Sequence, residues 1–225
     1  MVQELLLKRI PRKNIKDFLG KPIIAYSIET AIESGLFDEV MVSTDDDEIA
    51  EISRKYGAKT PFVRSKENSD DFATTNDVIM EVLSEYKKAG NTYDYACCIY
   101  PTAPFISTEI LKQAYTKLSS GDIEIVIPMI PFSFPIQRSF IKNEKGFIEY
   151  SQPQHIKTRS QDLPKHYHDV GQFYFFRASD YFDRGNIVGT KMVGIEIDEL
   201  AAQDIDNEID WKMAELKYKL LNNIT

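Results

Sequence analysis

Across residues 21–127 the chain switches repeatedly between a helical period and short apolar runs, and each run stops at a polar or proline-rich loop. Lys21-Pro22 opens the first helix, proline being tolerated in a first turn, and Ile24, Ile28, Ala31 and Ile32 recur at helical spacing until Ser34-Gly35 ends it. Glu39-Val40-Met41-Val42 reads as a short buried strand that stops at Ser43-Thr44-Asp45-Asp46. A second helix carries Ile49, Ile52 and Tyr56 on one side and ends at Gly57; a third follows Asp77, with Ile79, Val82, Leu83 and Tyr86 inward and Gly90 as its stop. Tyr95-Ala96-Cys97-Cys98-Ile99-Tyr100 is a near-continuous apolar strand broken by Pro101-Thr102-Ala103-Pro104. Ser107 or Thr108 caps a fourth helix with Leu111, Ala114, Tyr115 and Leu118 on its inner face, and residues 123–127 form another buried strand. Strands that alternate with helices imply mostly parallel pairing covered on both faces. The expectation is an α/β fold with a doubly wound, mostly parallel sheet.

The pattern changes at Pro128. Three prolines, two phenylalanines and a methionine crowd into residues 128–135, and all three histidines fall between His155 and His168. This stretch, 131–169, reads as an excursion from one domain spanning 1–225 and not as another βα unit. Sheet signals return at Gln172-Phe173-Tyr174-Phe175-Phe176 and at residues 192–197. A last helix runs from about Glu208, with Ile209, Met213, Leu216 and Leu220 expected to face the core.

A net charge of -8 argues against broad nucleic-acid binding, which requires a large positive face. One local cationic pocket still suffices for a nucleotide. Lys8-Arg9-Ile10-Pro11-Arg12-Lys13-Asn14 offers such a pocket: Pro11 disfavours a helix, so the cations sit on a loop able to wrap phosphate oxygens. Cys97 and Cys98 are the only cysteines, and adjacent residues on a strand point to opposite faces, so they are badly placed to bridge each other. No apolar stretch reaches the roughly 18–20 residues needed to span a bilayer, and residues 1–7 are too short for a secretory signal. These readings predict a reduced, cytoplasmic protein with no membrane or nucleic-acid partner.

In an open sheet, ligands bind beyond the carboxyl ends of the strands. Ser43-Thr44-Asp45-Asp46, Pro101-Thr102-Ala103-Pro104 and Gln203-Asp204-Ile205-Asp206 are expected to gather on that rim, although turn and capping chemistry accounts equally well for the first. Asp204 and Asp206, one residue apart in an extended segment, share a side and suit a hard cation such as Mg²⁺, which takes one or two carboxylates together with substrate phosphates. Asp206 or Asn207 capping the last helix is the alternative. His166 and His168 share a face if extended, but no further Cys or His completes a transition-metal set. Polar recognition of a sugar, with Arg159 and Gln161 close by, is the better reading of that segment.

These pieces, in this order, resemble the acylneuraminate cytidylyltransferase family over nearly the whole chain. The resemblance is carried by the Lys8–Asn14 segment, Val42-Ser43-Thr44-Asp45, Arg64 followed by Asp71-Phe72-Ala73-Thr74-Thr75, Tyr100-Pro101-Thr102-Ala103-Pro104, Thr158-Arg159-Ser160-Gln161 and Gln203-Asp204-Ile205-Asp206. Pro131-Phe132-Ser133-Phe134-Pro135-Ile136-Gln137-Arg138 and His168-Asp169-Val170-Gly171-Gln172-Phe173-Tyr174 are similar to the branch that handles pseudaminic acid, which feeds glycosylation of bacterial surface proteins such as flagellin. The resemblance implies a nucleotide-diphospho-sugar-transferase-like fold. It also implies attack by the anomeric hydroxyl of a nonulosonic acid on the α-phosphate of CTP, releasing pyrophosphate. Asp204 and Asp206 would hold Mg²⁺, with Lys8, Lys13 and Asp204 as the catalytic set. Lys8, Arg9, Lys13, Asn14, Arg64, Thr74 and Thr75 would bind the nucleotide, and Arg159, Gln161, His168 and Gln172 would lie near the sugar acid. A homodimer is implied, with the 131–169 arm reaching the neighbouring site.

One departure stands out. Where the family has a buried strand and a glycine-containing loop before the Lys8 position, this chain has Met1-Val2-Gln3-Glu4-Leu5-Leu6-Leu7. Glycine permits the close backbone approach that cradles a phosphate. The expectation is a conserved fold with much reduced cytidylyl transfer and a central strand shortened or lost, the alternative being a non-catalytic dimeric nucleotide- and sugar-binding homologue.

Overall fold

The structure, a computed structural model, describes residues 10–70 and 72–224. After a 3-10 turn at Lys13–Ile15, a two-residue hairpin of β1 (Asp17–Phe18) and β2 (Lys21–Pro22) leads into α1 (Ile23–Ser34), α2 (Asp47–Lys55) and α3 (Thr75–Lys88). Then come β3 (Tyr95–Ile99), α4 (Thr108–Ser119), β4 (Ile125–Pro131), the hairpin β5 (Phe140–Lys142) and β6 (Ile148–Tyr150), β7 (Tyr167–Asp169), β8 (Phe173–Arg177), α5 (Ala178–Arg184), β9 (Met192–Glu196) and α6 (Glu208–Asn222). The helix ends follow capping chemistry. Gly35 closes α1 in the left-handed conformation, Thr74 and Asp77 form a reciprocal capping box on α3, and Ser107 rather than Thr108 caps α4.

The class is α/β, but the sheet is mixed and not mostly parallel. Its order is β3-β8-β4-β7, with β9 on the other edge of β4. Among the described strands only β4 and β9 pair in parallel; β3 with β8, β8 with β4, and β4 with β7 are antiparallel. The reason is the excursion. β4 leaves the sheet into it, and the chain returns from the same end, so β7 and β8 run back along β4 and β8 separates β3 from β4. The return is not continuous. Met129 pairs with Asp169 and Val126 with Phe175, three steps along β4 against six along its partner, so Val170, Gly171 and Gln172 bulge out of the ladder.

The expected strand at residues 39–42 is reduced to a single parallel bridge, Met41 to Lys59, with Val42 N–H donating to the Lys59 carbonyl at 2.8 Å and Lys59 N–H to the Val40 carbonyl at 2.9 Å. Among the described residues this segment has no second partner, and β3 pairs with β8 alone. All five β3 residues are only half-buried. The expectation concerning a first strand falls on residues 1–9, outside the described residues.

Both faces of the sheet are covered, as the alternation predicts. Phe173, Phe175 and Val126 pack with Leu111, Ala114 and Leu118 of α4 on one side. Phe176 and Ile125 pack with Ile79 and Leu83 of α3 and Tyr181 of α5 on the other. A separate cluster joins the chain's two ends: Ile10, Phe18, Ile23 and Tyr26 meet Ile205, Trp211 and Ala214. Phe18 contacts Tyr26, Trp211 and Tyr218 edge to face, with ring centroids 5.5–5.6 Å apart.

The face of α6 differs from expectation. Trp211, Ala214 and Tyr218 point inward, whereas Ile209, Met213, Leu216 and Leu220 are exposed. Both sides of this helix carry apolar residues at helical spacing, so period alone could not choose. Trp211 decides it by locking into the aromatic cluster.

Phe18 is fully buried, and its replacement by alanine is expected to cost about 3–5 kcal/mol of stability in urea denaturation. A loss below about 1 kcal/mol would show that this cluster does not hold the two ends together.

Candidate active site

The basic turn is pinned at both sides. Arg12 adopts a left-handed conformation (φ 50°), and its guanidinium grips Asp46 at 3.0 Å and Glu48 at 2.7 Å, at the N-terminus of α2. Asp46 is therefore held below its ordinary pKa, chiefly by the Arg12 hydrogen bond. The next residue reaches the opposite way. Lys13 Nζ donates to the Ile205 carbonyl and lies 3.7 Å from Asp206 Oδ1. Lys16 continues the contact, 2.8 Å from Glu208 and 4.5 Å above the Trp211 ring. Adjacent residues thus draw the first and third polar clusters to one side. Asn14 sits half-buried in the same turn. Lys8 and Arg9 lie outside the described residues.

The aspartate pair owes its direction to Ile205. That side chain is fully buried, so Asp204 and Asp206 on either side of it face out. Capping of α6 falls to Asn207, with Asp210 completing the box, which leaves the Asp206 carboxylate uncommitted to the cap. Asp204 keeps solvent contact, yet the surrounding protein raises its pKa by burial; Asp206 adds to the rise and Lys13 opposes it. Among the described residues no three His, Cys, Asp or Glu side chains cluster to hold a metal by themselves. Two carboxylates beside one ammonium suit a hard cation that takes its remaining ligands from water and phosphate.

The bulge forms the next wall. Gly171 has φ +61°, and a Cβ there would stand 3.8 Å from both the Asp204 carboxylate and the Tyr100 ring. Its N–H donates to Asp169 at 2.8 Å, and the Tyr174 hydroxyl donates to the same carboxylate. Tyr174 is held protonated, its pKa raised by burial and then by Asp169. Tyr100 meets Tyr174 edge to face at 5.7 Å and shares a 3.0 Å hydrogen bond with Thr75 Oγ1. Gln172, expected near the sugar, is buried and donates from its amide to the Ala201 carbonyl. It braces the segment leading to Asp204.

Arg64 is also immobilised. Its Nε donates to Ser43 Oγ at 3.0 Å and its Nη2 to the Ser43 carbonyl, and burial lowers its pKa. Thr74 is engaged in the α3 capping box. The neighbouring Cys98 thiol is pushed up to about 12 by burial, which keeps it protonated and unreactive. Both cysteines are free thiols.

The arm residues stand apart. Arg159 pairs with Asp162 at 2.7 Å, Gln161 is exposed in the same turn, and neither contacts the Lys13–Asp204 group. His168 is exposed, packed on Phe132 with ring centroids 4.8 Å apart. Sequence reasoning thus brings Lys13, Asp204 and Asp206 together, with Thr75 one side chain away, but assigns no role to Tyr100, Asp169, Gly171 or Tyr174. The signal available was Tyr100 ending a strand at Pro101 and the Asp169-x-Gly171 turn.

Comparison with known proteins decides the family. The pattern described as Cytidylyltransferase matches residues 8–200. The chain belongs to the cytidylyltransferase family. This cytidylyltransferase is 44% identical over 213 residues to the pseudaminic acid cytidylyltransferase of Campylobacter jejuni, covering 95% of this chain and 92% of that one. It is 35% identical to a Helicobacter pylori protein named for pseudaminic acid cytidylyltransferase and a UDP-sugar hydrolase, covering 88% of this chain and 38% of that longer one. In fold it is similar to a CMP:2-keto-3-deoxy-manno-octonic acid synthetase solved with CTP, with a TM-score of 0.65, 14% identity, and 96% and 94% of the two chains covered.

A carboxylate whose pKa is raised on folding is a cost once ionised. Folding stability from Asp204 is lost as pH rises from its unfolded value through its raised folded value, and stays lost at neutral pH. Asp204→Asn is therefore expected to leave the melting temperature of the free enzyme unchanged or higher at pH 7. A marked fall in melting temperature would show that the charge stabilises the fold.

Proposed function

We propose that this cytidylyltransferase transfers CMP from CTP to the anomeric hydroxyl of pseudaminic acid, releasing pyrophosphate. The observation that supports this most is the meeting of Lys13 with Asp204 and Asp206, residues from opposite ends of the chain, on one rim. The substrate follows from the likeness to the Campylobacter jejuni enzyme and from the motifs of the 131–169 arm.

The new bond joins the anomeric oxygen to the α-phosphorus, the bond to the β-phosphate bridging oxygen breaks, and the hydroxyl proton leaves to solvent. Lys13 supplies a fixed positive charge for the triphosphate and for charge developing on departing pyrophosphate. Asp204 and Asp206 would hold Mg²⁺, which when bound neutralises phosphate oxygens and orients the displacement. Arg64, pinned on Ser43, and Thr75, pinned on Tyr100, offer rigid polar groups to the cytosine base. Arg159, Gln161 and His168 serve the sugar acid, with Arg159 a two-pronged partner for its carboxylate. They lie on the arm and do not touch the Lys13 group, so the reading assigns them to the site of a second copy in a homodimer. The setting is cytoplasmic, and the CMP-sugar is a donor for glycosylation of surface proteins such as flagellin.

The test is pyrophosphate release with CTP, Mg²⁺ and pseudaminic acid. Turnover near 1–10³ per second, ordinary for enzymes, is expected of a fully active site; a far lower rate is expected if the glycine-free residues 1–7 limit the triphosphate. CTP binding by calorimetry with no product under any metal would replace this reading by the non-catalytic one. Lys13→Ala is expected to lower kcat/KM by about 10²–10³-fold, and Arg64→Ala to raise the KM for CTP more than it lowers kcat. Wild-type kcat/KM in Lys13→Ala would remove Lys13 from the mechanism.

A further inference from the structure

Arg64 and Thr75, the two side chains assigned above to the cytosine base, come from separate segments. Thr75 opens α3, while Arg64 leads into a turn at 65–69, closed by Asn68 N–H on the Ser65 carbonyl at 3.3 Å and Ser69 N–H on the Lys66 carbonyl at 3.2 Å. Such a turn belongs to no helix or sheet that would fix its distance from α3. One carboxylate fixes it instead. Glu81, half-buried on α3, accepts from Ser65 N–H at 2.7 Å, from Ser65 Oγ at 2.9 Å and from Asn68 Nδ2. Burial works against its charge, but the Asn68 and Ser65 hydrogen bonds outweigh burial and hold its pKa below the ordinary value. Glu81 is therefore ionised at neutral pH and able to accept all three bonds.

The tie reaches Arg64 through a single peptide. Glu81 takes the N–H of Ser65, and one residue earlier Arg64 N–H donates to the Thr44 carbonyl at 3.1 Å. The backbone on which Arg64 stands is thus gripped by α3 on one side and by the 43–46 loop on the other. The guanidinium spends Nε and Nη2 on Ser43, and among the described residues its Nη1 has no acceptor. At the far end of the tie, Glu81 shares with Thr75 a helix whose start is set by the Thr74–Asp77 capping box and whose body is anchored in the core by Ile79 and Leu83. Along the axis Glu81 and Thr75 stand about 9 Å apart.

We propose that Glu81 is a positioning residue for base selection: it fastens the 65–69 turn to α3 and so sets the separation of Arg64 from Thr75 on which choice of cytosine over uracil depends. This rests on the reading of Arg64 and Thr75 as base contacts and adds the residue through which they act together. The chemistry gives the reason. A guanidinium only donates, whereas a hydroxyl both donates and accepts. Cytosine presents acceptors at O2 and N3 and a donor at its 4-amino group; uracil carries hydrogen on N3 and an acceptor at position 4. The two pyrimidines share one outline, so only donors and acceptors held at set places tell them apart. With the tie cut, Arg64 is free to follow either base.

The experiment is calorimetric titration of CTP and of UTP, each with Mg²⁺, into the full chain as wild type, Glu81→Ala, Arg64→Ala and the double variant. Wild type is expected to prefer CTP. Glu81→Ala is expected to weaken CTP binding by about 10–100-fold, the scale of a displaced contact, while UTP changes less, so the preference narrows. In the Arg64→Ala background the same replacement is expected to change CTP affinity by less than about twofold, because Glu81 acts through Arg64. Circular dichroism verifies folding; should Glu81→Ala misfold, Ser65→Ala with Asn68→Ala cuts the side-chain part of the tie from the turn, with the same expectations. A Glu81→Ala protein that binds CTP like wild type, loses CTP and UTP equally, or loses as much again without Arg64 overturns the role of Glu81 and leaves Arg64 as a base contact. Wild-type CTP affinity in Arg64→Ala overturns the base contact itself, and Glu81 with it, as does a wild type that binds neither nucleotide. The readout does not involve turnover, so the reading of activity is tested separately.

Discussion

The ammonium of Lys13, bonded to the Ile205 carbonyl and 3.7 Å from Asp206, closes a loop of 192 residues at the one place where chemistry is concentrated. It holds only because the packing beneath it holds. Ile205 is sunk in the cluster of Phe18, Tyr26 and Trp211, and Lys16 repeats the tie one turn further on, to Glu208. The aromatic cluster is therefore part of the site's machinery.

The second constraint is the bulge at Val170-Gly171-Gln172. A strand returning along β4 in register would carry a side chain past Asp204. The three extra residues instead place a left-handed glycine there, and Asp169 and Tyr174 hold the turn shut. Electrostatics then favour a ligand that supplies what the protein lacks. Asp204 is disfavoured as a charge by burial and by Asp206, and Lys13 relieves only part of this. A cation with a polyphosphate completes the balance, the cation answering the carboxylates and the phosphates answering Lys13.

Much of this was legible in the sequence because the signals were local. Helix limits followed from Gly35 and Ser107, and the strand Tyr95–Ile99 from its unbroken apolar run, whereas α3 starts at Thr75, capped by Thr74, ahead of the start expected after Asp77. The Asp204–Asp206 pair could be read from spacing, since alternation around a buried Ile205 needs no tertiary knowledge. Strand direction could not be read this way. The excursion sends β8 back between β3 and β4, which look consecutive in sequence, so adjacency along the chain misrepresents adjacency in the sheet. The face of α6 was hidden for another reason: Trp211-Ala214-Tyr218 and Ile209-Met213-Leu216-Leu220 both fit a helical period. Gln172 looked like a recognition residue and is a buried brace, a distinction that rests on the Ala201 carbonyl, 29 residues along the chain.

Whether Lys13 and Asp206 act on one bound group is tested most directly by a double-mutant cycle on binding, with calorimetry of CTP and Mg²⁺ to wild type, Lys13→Ala, Asp206→Asn and the double variant. The shared-ligand account predicts non-additive losses, with a coupling of about 0.5–3 kcal/mol between the two positions. Losses that add to within about 0.3–0.5 kcal/mol would place the two side chains on separate ligands and contradict it.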